Sequence, residues 1–212
     1  MTMNHTISIK RDPFGIASTG KLAMWLFLAM DAITFGVIIA GGIYLRLRTD
    51  QWPEAGQVLN IPLTSLNTFL LIMTSFTMVM GLNELKKDNQ RGFKTFILLT
   101  IIGGIFFLVI QGYEYYHFVI GSTELGKALT SYGFSGISLL WTTGTFGSTF
   151  YATTSFHGLH VLAGVVYLSV ILYQARTGVY TAKNYDRVEI AGLFWHFVDL
   201  VWILVFTIIY LV

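Results

Sequence analysis

Two histidines in one apolar stretch are the first candidates for chemistry in this sequence. His157 and His160 lie in a run, residues 128–175, that contains no Lys, Arg, Asp or Glu. Because they are three residues apart, they share one face of a helix and offer two ligands for a metal ion, but no acidic residue accompanies them. Axial ligation of a single haem is excluded, since its two ligands approach from opposite faces. We therefore expect buried histidines that hydrogen-bond to neighbouring helices.

Two acidic residues also lie inside apolar segments. Asp31 and Asp199 each come about nine residues after the start of their segment, or roughly 14 Å along a helix, which is close to the middle of a bilayer. An acid at that depth usually has a partner or a task. A proton relay is the functional hypothesis for Asp31, and a hydrogen-bonded structural acid is the alternative. Since His157 and His160 lie at a similar depth, we expect hydrogen bonds among these four side chains, in pairs that the sequence does not define.

Glu114 and His117 follow the apolar core of another segment, in the stretch Gln-Gly-Tyr-Glu-Tyr-Tyr-His that ends at residue 117. Aromatic side chains are common at the headgroup level of a bilayer. We interpret Glu114 and His117 as interfacial groups that contact lipid or a partner chain.

The composition predicts that membrane helices position these residues. The chain is 54% hydrophobic and only 11% charged, whereas a soluble domain carries about twice that charge. We predict an all-α, polytopic membrane protein with a polar arm over residues 1–20 and one transmembrane domain over residues 21–212. The five predicted spans cover about residues 22–45, 61–82, 95–116, 146–173 and 190–212. Residues 121–145 are predicted to form a structured external loop.

The distribution of basic residues predicts the orientation. Of the 13 Lys and Arg residues, only Arg46, Arg48 and Lys127 fall on the side opposite the N-terminal arm, so the positive-inside rule places the N-terminus in the cytoplasm and the C-terminus in the periplasm. The absence of cysteine excludes disulfides and thiolate metal sites. A net charge of +2 does not indicate a nucleic-acid partner, and residues 1–20 lack the apolar core of a signal peptide.

Four stretches, in order along residues 18–212, resemble one known family. Residues 151–164, with both histidines, resemble the signature of subunit III of haem–copper terminal oxidases. Residues 193–202, Leu-Phe-Trp-His-Phe-Val-Asp-Leu-Val-Trp, match its closing Trp-His-Phe-x-Asp-x-x-Trp motif. Residues 21–31 resemble its first shared span, with Asp31 where the long form carries a buried Glu, and residues 111–115 resemble its Gln-x-x-Glu-Tyr element. Five spans match the short bacterial form, which lacks two leading helices.

The resemblance implies a non-catalytic core subunit III of a proton-pumping cytochrome c oxidase in the bacterial inner membrane. Such a subunit holds no haem, copper or other metal. It supports the catalytic subunit I, binds phospholipid in a cleft and helps to sustain proton uptake during oxygen reduction. The implied partners are subunit I with the haems and copper, subunit II, a small subunit IV and membrane phospholipids, with cytochrome c as the electron donor to the complex.

No catalytic residue is expected in this chain. We assign four polar residues to the interior and the lipid-facing cleft and connect them with proton uptake, namely Asp31, His157, His160 and Asp199. We assign to contacts with lipid or other subunits Trp25, Glu114, Trp195, His196 and Trp202. Two alternative hypotheses remain open. Within the family, the complex oxidises quinol instead of cytochrome c. Outside the family, the chain is a proton-coupled transporter with Asp31 and Asp199 as proton carriers.

Overall fold

Helices form most of the chain in the computed structural model, which describes residues 18–50 and 52–212. They are α1 (Thr19–Arg48), α2 (Ala55–Val58), α3 (Ile61–Lys86), α4 (Gln90–Ile120), α5 (Thr123–Ser131), α6 (Gly144–Ala175) and α7 (Asp186–Phe206), and a π-helical turn (Thr207–Leu211) follows. Within the described ranges, five helices are long and apolar enough to cross a membrane, namely α1, α3, α4, α6 and α7 together with its π-helical turn. The predicted all-α class with five spans is confirmed.

Each spanning helix extends past its predicted span at one end or at both, and asparagine side chains cap the start of two of them. The side chains of Asn60 and Asn89 each accept a backbone N–H at 3.2 Å and so begin α3 and α4. Helix α4 ends at Gly121, where φ is 75° and the N–H donates to the carbonyl of His117 at 2.9 Å. Its 31 residues reach roughly 46 Å, which is longer than the hydrocarbon core of a bilayer.

Four of the spanning helices form a closed ring, and α1 lies outside it. Helix α3 packs against α4 and α7, and α6 packs against the same two helices. Helix α1 contacts α6 and α7, and Lys21 near its start forms ion pairs with Asp186 at 3.1 Å and Glu189 at 2.6 Å. One stripe of α1 is buried, namely Leu28, Asp31 and Phe35. The rest of its surface is therefore turned outward.

Trp195 of α7 lies between α4 and α6. Its ring is enclosed and lies beside two glycines, Gly104 of α4 and Gly164 of α6. A Cβ atom added to either glycine would lie 2.6 Å or 2.8 Å from a carbon of the indole ring. The two glycines therefore make the space that this large side chain fills, as small residues do at other helix contacts in membranes.

The segment between α4 and α6 folds back onto the end of α4. This segment begins with helix α5. Two backbone hydrogen bonds connect its later part to the residues around the end of α4, from Ser122 N–H to Ile137 C=O at 3.1 Å and from Leu139 N–H to Phe118 C=O at 3.0 Å. The side chain of Leu139 is fully buried. The predicted loop is thus structured, and it contains a short helix that packs against α2.

Candidate functional site

Asp31 of α1 and His160 of α6 form a polar pair between these two helices, which we call the α1–α6 pair. The Nε2 atom of His160 lies 3.3 Å from Oδ2 of Asp31, close enough for charge pairing but without the alignment of a hydrogen bond. The Nδ1 atom lies 2.8 Å from the carbonyl oxygen of Phe156. Because a carbonyl only accepts, Nδ1 carries a proton. Attraction between Nε2 and the carboxyl group then requires one further proton on either of them.

His157 lies one turn away but has a different environment. It is 0% exposed, and neither ring nitrogen has a hydrogen-bond partner among the described residues. Its ring packs against Trp202 at 4.8 Å and Phe107 at 5.6 Å between centroids. The predicted hydrogen bonds from His157 to neighbouring helices are therefore not found in the described part of the chain. The reason is that α4 and α7 present aromatic rings to it, and the Trp202 N–H donates to Thr68 instead.

Asp199 belongs to a second polar cluster, which consists of Ser75 of α3 with His196 and Asp199 of α7 and which we call the α3–α7 triplet. The Ser75 hydroxyl donates to the Asp199 carboxylate and lies 3.0 Å from Nδ1 of His196. Asp199 is 5% exposed, whereas Ser75 and His196 are half-buried. Of the pairs expected among the four predicted residues, one contact is therefore found, and Asp199 and His157 take no part in it. Asp31 meets His160, and Asp199 takes its partner from α3.

Two tryptophans of α7 are bonded to threonines of α3. Trp195 Nε1–H donates to Oγ1 of Thr74 at 3.0 Å, and Trp202 Nε1–H donates to Oγ1 of Thr68 at 2.9 Å. Both indole side chains are almost completely buried. This interior position differs from the predicted contact with lipid or another subunit, because each N–H has a partner inside the ring of helices. Trp25 on α1, in contrast, is 58% exposed.

Glu114 lies near the end of α4, where the sequence places it, but its carboxyl group is buried inside the protein. It is 6% exposed and accepts hydrogen bonds from the Tyr210 hydroxyl at 2.9 Å and the Thr64 hydroxyl at 3.3 Å. Tyr210 lies in the π-helical turn at the end of the last span, and Thr64 lies in the first turn of α3. The ends of three spanning helices therefore enclose this carboxyl group.

The sequence analysis missed the hydroxyl groups of α3 that serve as partners in these clusters. They are Thr64, Thr68, Thr74 and Ser75. Their spacing of four, six and one residues keeps them on one side of a helix, so a stripe of hydroxyls within an apolar span was the available signal. Such a stripe indicates a polar helix contact in a membrane.

Two cavities lie near the ends of the bundle. The Glu114 cavity has a volume of about 550 Å³ and is lined by Glu114, His117 and residues of α2 and α5. The Arg46 cavity has a volume of about 380 Å³ and lies between α1, α6 and the π-helical turn. Its lining is mostly apolar, with Ile39, Trp52 and Phe146, and Arg46 is the one charged side chain among the described residues that line it.

The clusters do not resemble a metal site. In the part of the chain that the structure describes, no three His, Asp or Glu residues are grouped as ligands for one ion. Each carboxyl group faces hydroxyl or imidazole groups, an arrangement that holds helices together. The fold and these clusters define a five-span membrane protein with internally paired polar side chains.

Comparison with known proteins gives the family. The family described as cytochrome c oxidase subunit III matches residues 18–212. Cytochrome c oxidase subunit 3 of Thermostichus vulcanus is 35% identical over 191 residues, which cover 90% of this chain and 86% of that protein. The protein of the same name from Alkalihalophilus pseudofirmus is 31% identical over 90% of this chain and 85% of its own length, and that from Synechocystis is 35% identical over 88% and 72%. The chain belongs to the cytochrome c oxidase subunit III family, as its motifs suggested.

The α1–α6 pair can be tested by a double-mutant cycle with Asp31→Asn and His160→Gln. We expect the two substitutions to be non-additive by about 1 kcal/mol in the free energy of unfolding, because polar contacts between membrane helices have couplings of this order. Unfolding in mixed detergent micelles, followed by tryptophan fluorescence, measures it. The matched control is Asp31→Asn with His196→Gln, which lie in separate clusters and should be additive within about 0.5 kcal/mol. Equal coupling in the two cycles would contradict the pairing.

Proposed function

We propose that the chain is the non-catalytic subunit III of a proton-pumping cytochrome c oxidase in a bacterial inner membrane. The family match over residues 18–212 carries this proposal. The relatives described above are cytochrome c oxidase subunits, which supports cytochrome c as the electron donor to the complex. In this proposal subunits I and II, and a small subunit IV, are the partners, and the haems and copper reside in those partners.

The role of the chain is to support subunit I. The polar side chains of the bundle are engaged with one another or enclosed by aromatic rings, so they stabilise a helical scaffold. The proposed connection with proton uptake rests on the α1–α6 pair, because one proton must lie on Nε2 of His160 or on the Asp31 carboxyl group for the contact to be attractive. In the proposed orientation the N-terminus is cytoplasmic and the C-terminus periplasmic.

The alternatives have less support. Neither the Glu114 cavity nor the Arg46 cavity is lined by Asp31 or Asp199, so neither offers a substrate site beside the two acids that a proton-coupled transporter would use. For quinol as the donor, we find no supporting observation in the described residues.

Affinity purification of the tagged chain in mild detergent tests the proposal. We expect haem absorption bands and oxygen uptake that is driven by reduced cytochrome c and not by quinol. Cells that carry the untagged chain provide the control purification. A colourless chain that purifies alone would overturn the oxidase proposal. Turnover with quinol and not with reduced cytochrome c would show that quinol is the electron donor.

We also propose that the chain binds a phospholipid in the Arg46 cavity. Arg46 is at the end of α1, where a headgroup lies, and Ile39 is seven residues deeper, or roughly 10 Å along the helix. An acyl chain fits the apolar lining, and a guanidinium group binds phosphate well. One Arg46 N–H donates to the main-chain oxygen of Val212, which also lines this cavity.

Arg46→Gln should therefore lower the number of phospholipids that remain bound in native mass spectrometry. Arg48→Gln is the matched control, because it removes the same charge only two residues away. The Arg48 side chain lies over the Tyr44 ring and does not line the cavity. Equal lipid retention by the two variants would contradict the proposed site.

A further inference from the structure

The α3–α7 triplet reaches the outer surface of the bundle in the middle of the membrane. Its residue His196 is ten positions after the start of α7 at Asp186, or roughly 15 Å along the helix. Nδ1 of His196 faces Ser75, while Nε2 has no hydrogen-bond partner among the described residues and is not one of the enclosed polar atoms. A polar atom is thus open to the surroundings at a depth where the surroundings are hydrocarbon.

The hydrogen bonds inside the triplet determine which group is presented outward. The Ser75 hydroxyl has a single proton, and when the Asp199 carboxyl group is ionised it donates this proton to Asp199. The Ser75 oxygen therefore accepts from His196, so Nδ1 carries the imidazole proton. A neutral His196 then has its lone pair on Nε2, and this atom is a hydrogen-bond acceptor directed away from the triplet.

An apolar surface surrounds this acceptor. On α3, the exposed residues Ile72 and Val79 lie three and four residues from Ser75, and the exposed Phe76 directly follows it. On α7, the exposed residues Leu200 and Ile203 lie four and seven residues after His196. We call this surface, with Ser75 and His196 at its centre, the α3–α7 face. The exposed hydroxyl of Thr34 on α1 differs from Nε2 of His196, because it has a hydrogen-bond partner in its own helix, the carbonyl of Met30.

The chemistry of the acceptor limits what can cover it. Lipid tails have no donor, and headgroups are roughly 15 Å away at the edge of the hydrocarbon core. A second copy of this chain, related by a two-fold axis, would place one Nε2 acceptor against another. A transmembrane helix of a different chain with a hydroxyl or N–H donor satisfies both the apolar surface and the acceptor.

We propose that the α3–α7 face is a docking surface for a transmembrane helix of another subunit, which donates a hydrogen bond from a Ser, Thr, Tyr or Trp side chain to Nε2 of His196. The identity of that subunit as an oxidase subunit rests on the proposed function. The docking surface itself rests on the geometry of the triplet and its apolar surroundings.

Site-specific photocrosslinking in the assembled complex tests the surface. A photoreactive phenylalanine analogue replaces Phe76 or Leu200 on the face, and Ile102 is the matched control, since it is also exposed but lies on α4, outside the α3–α7 face. We expect a crosslink to one other membrane protein from positions 76 and 200 and none from 102. No crosslink, equal crosslinks at all three positions, or a crosslinked dimer of this chain would overturn the docking proposal.

The same experiment separates this proposal from the proposed function. Crosslinks to a membrane protein that is not an oxidase subunit would support the docking surface and contradict the oxidase proposal. Co-purification of oxidase subunits without crosslinks from 76 and 200 would support the oxidase proposal and overturn the docking surface.

Two variants of His196 test the hydrogen bond. The amide of His196→Asn reaches the position of Nδ1 and keeps a donor for Ser75, whereas the amide of His196→Gln extends to the position of Nε2 and keeps an outward acceptor. In a detergent challenge of the complex, we expect the Asn variant to dissociate from its partner about threefold faster than the Gln variant. Identical dissociation of the two variants would overturn the proposed bond.

Discussion

A hydrogen-bonding group inside a bilayer must find its partner in protein, and the contact between α3 and α7 depends on this requirement. Thr68 and Thr74 of α3 accept the indole N–H groups of Trp202 and Trp195. Ser75, beside Thr74, joins His196 and Asp199. These bonds are directional and occur at fixed positions on both helices, so they define the register of α7 along α3. The enclosed position of Trp195 between α4 and α6 follows from that register.

Helix α1 is attached to this ring in a different way. Its Lys21 pairs with two acids near the start of α7, and its Asp31 meets His160 at mid-depth, while most of the remaining surface is turned outward. The ring of α3, α4, α6 and α7 closes without α1. The outward surface of α1, which includes Trp25, and the α3–α7 face are therefore two separate surfaces, and of the two the α3–α7 face carries an open acceptor at its centre.

The sequence predicted what depends on composition and failed where partners come from distant helices. Windows of apolar residues located five spans, because a spanning helix must be apolar along its length. The depth of Asp31 and His160 could be counted, and their contact was among those expected. The enclosure of Glu114 was not predicted because its partner Tyr210 is 96 residues away. The stripe of hydroxyls that includes Ser75 could be seen in the sequence, but its partners His196 and Asp199 could not, because they lie 121 and 124 residues away in another helix.

The central claim is that this chain supports an oxidase without holding a redox centre. The most direct test measures haem and copper per subunit I, together with oxygen uptake over time, in the complex purified from cells that lack this chain. The account predicts unchanged haem and copper and a faster loss of activity during turnover, both relative to the complete complex. Loss of haem or copper in proportion to the missing chain would contradict it.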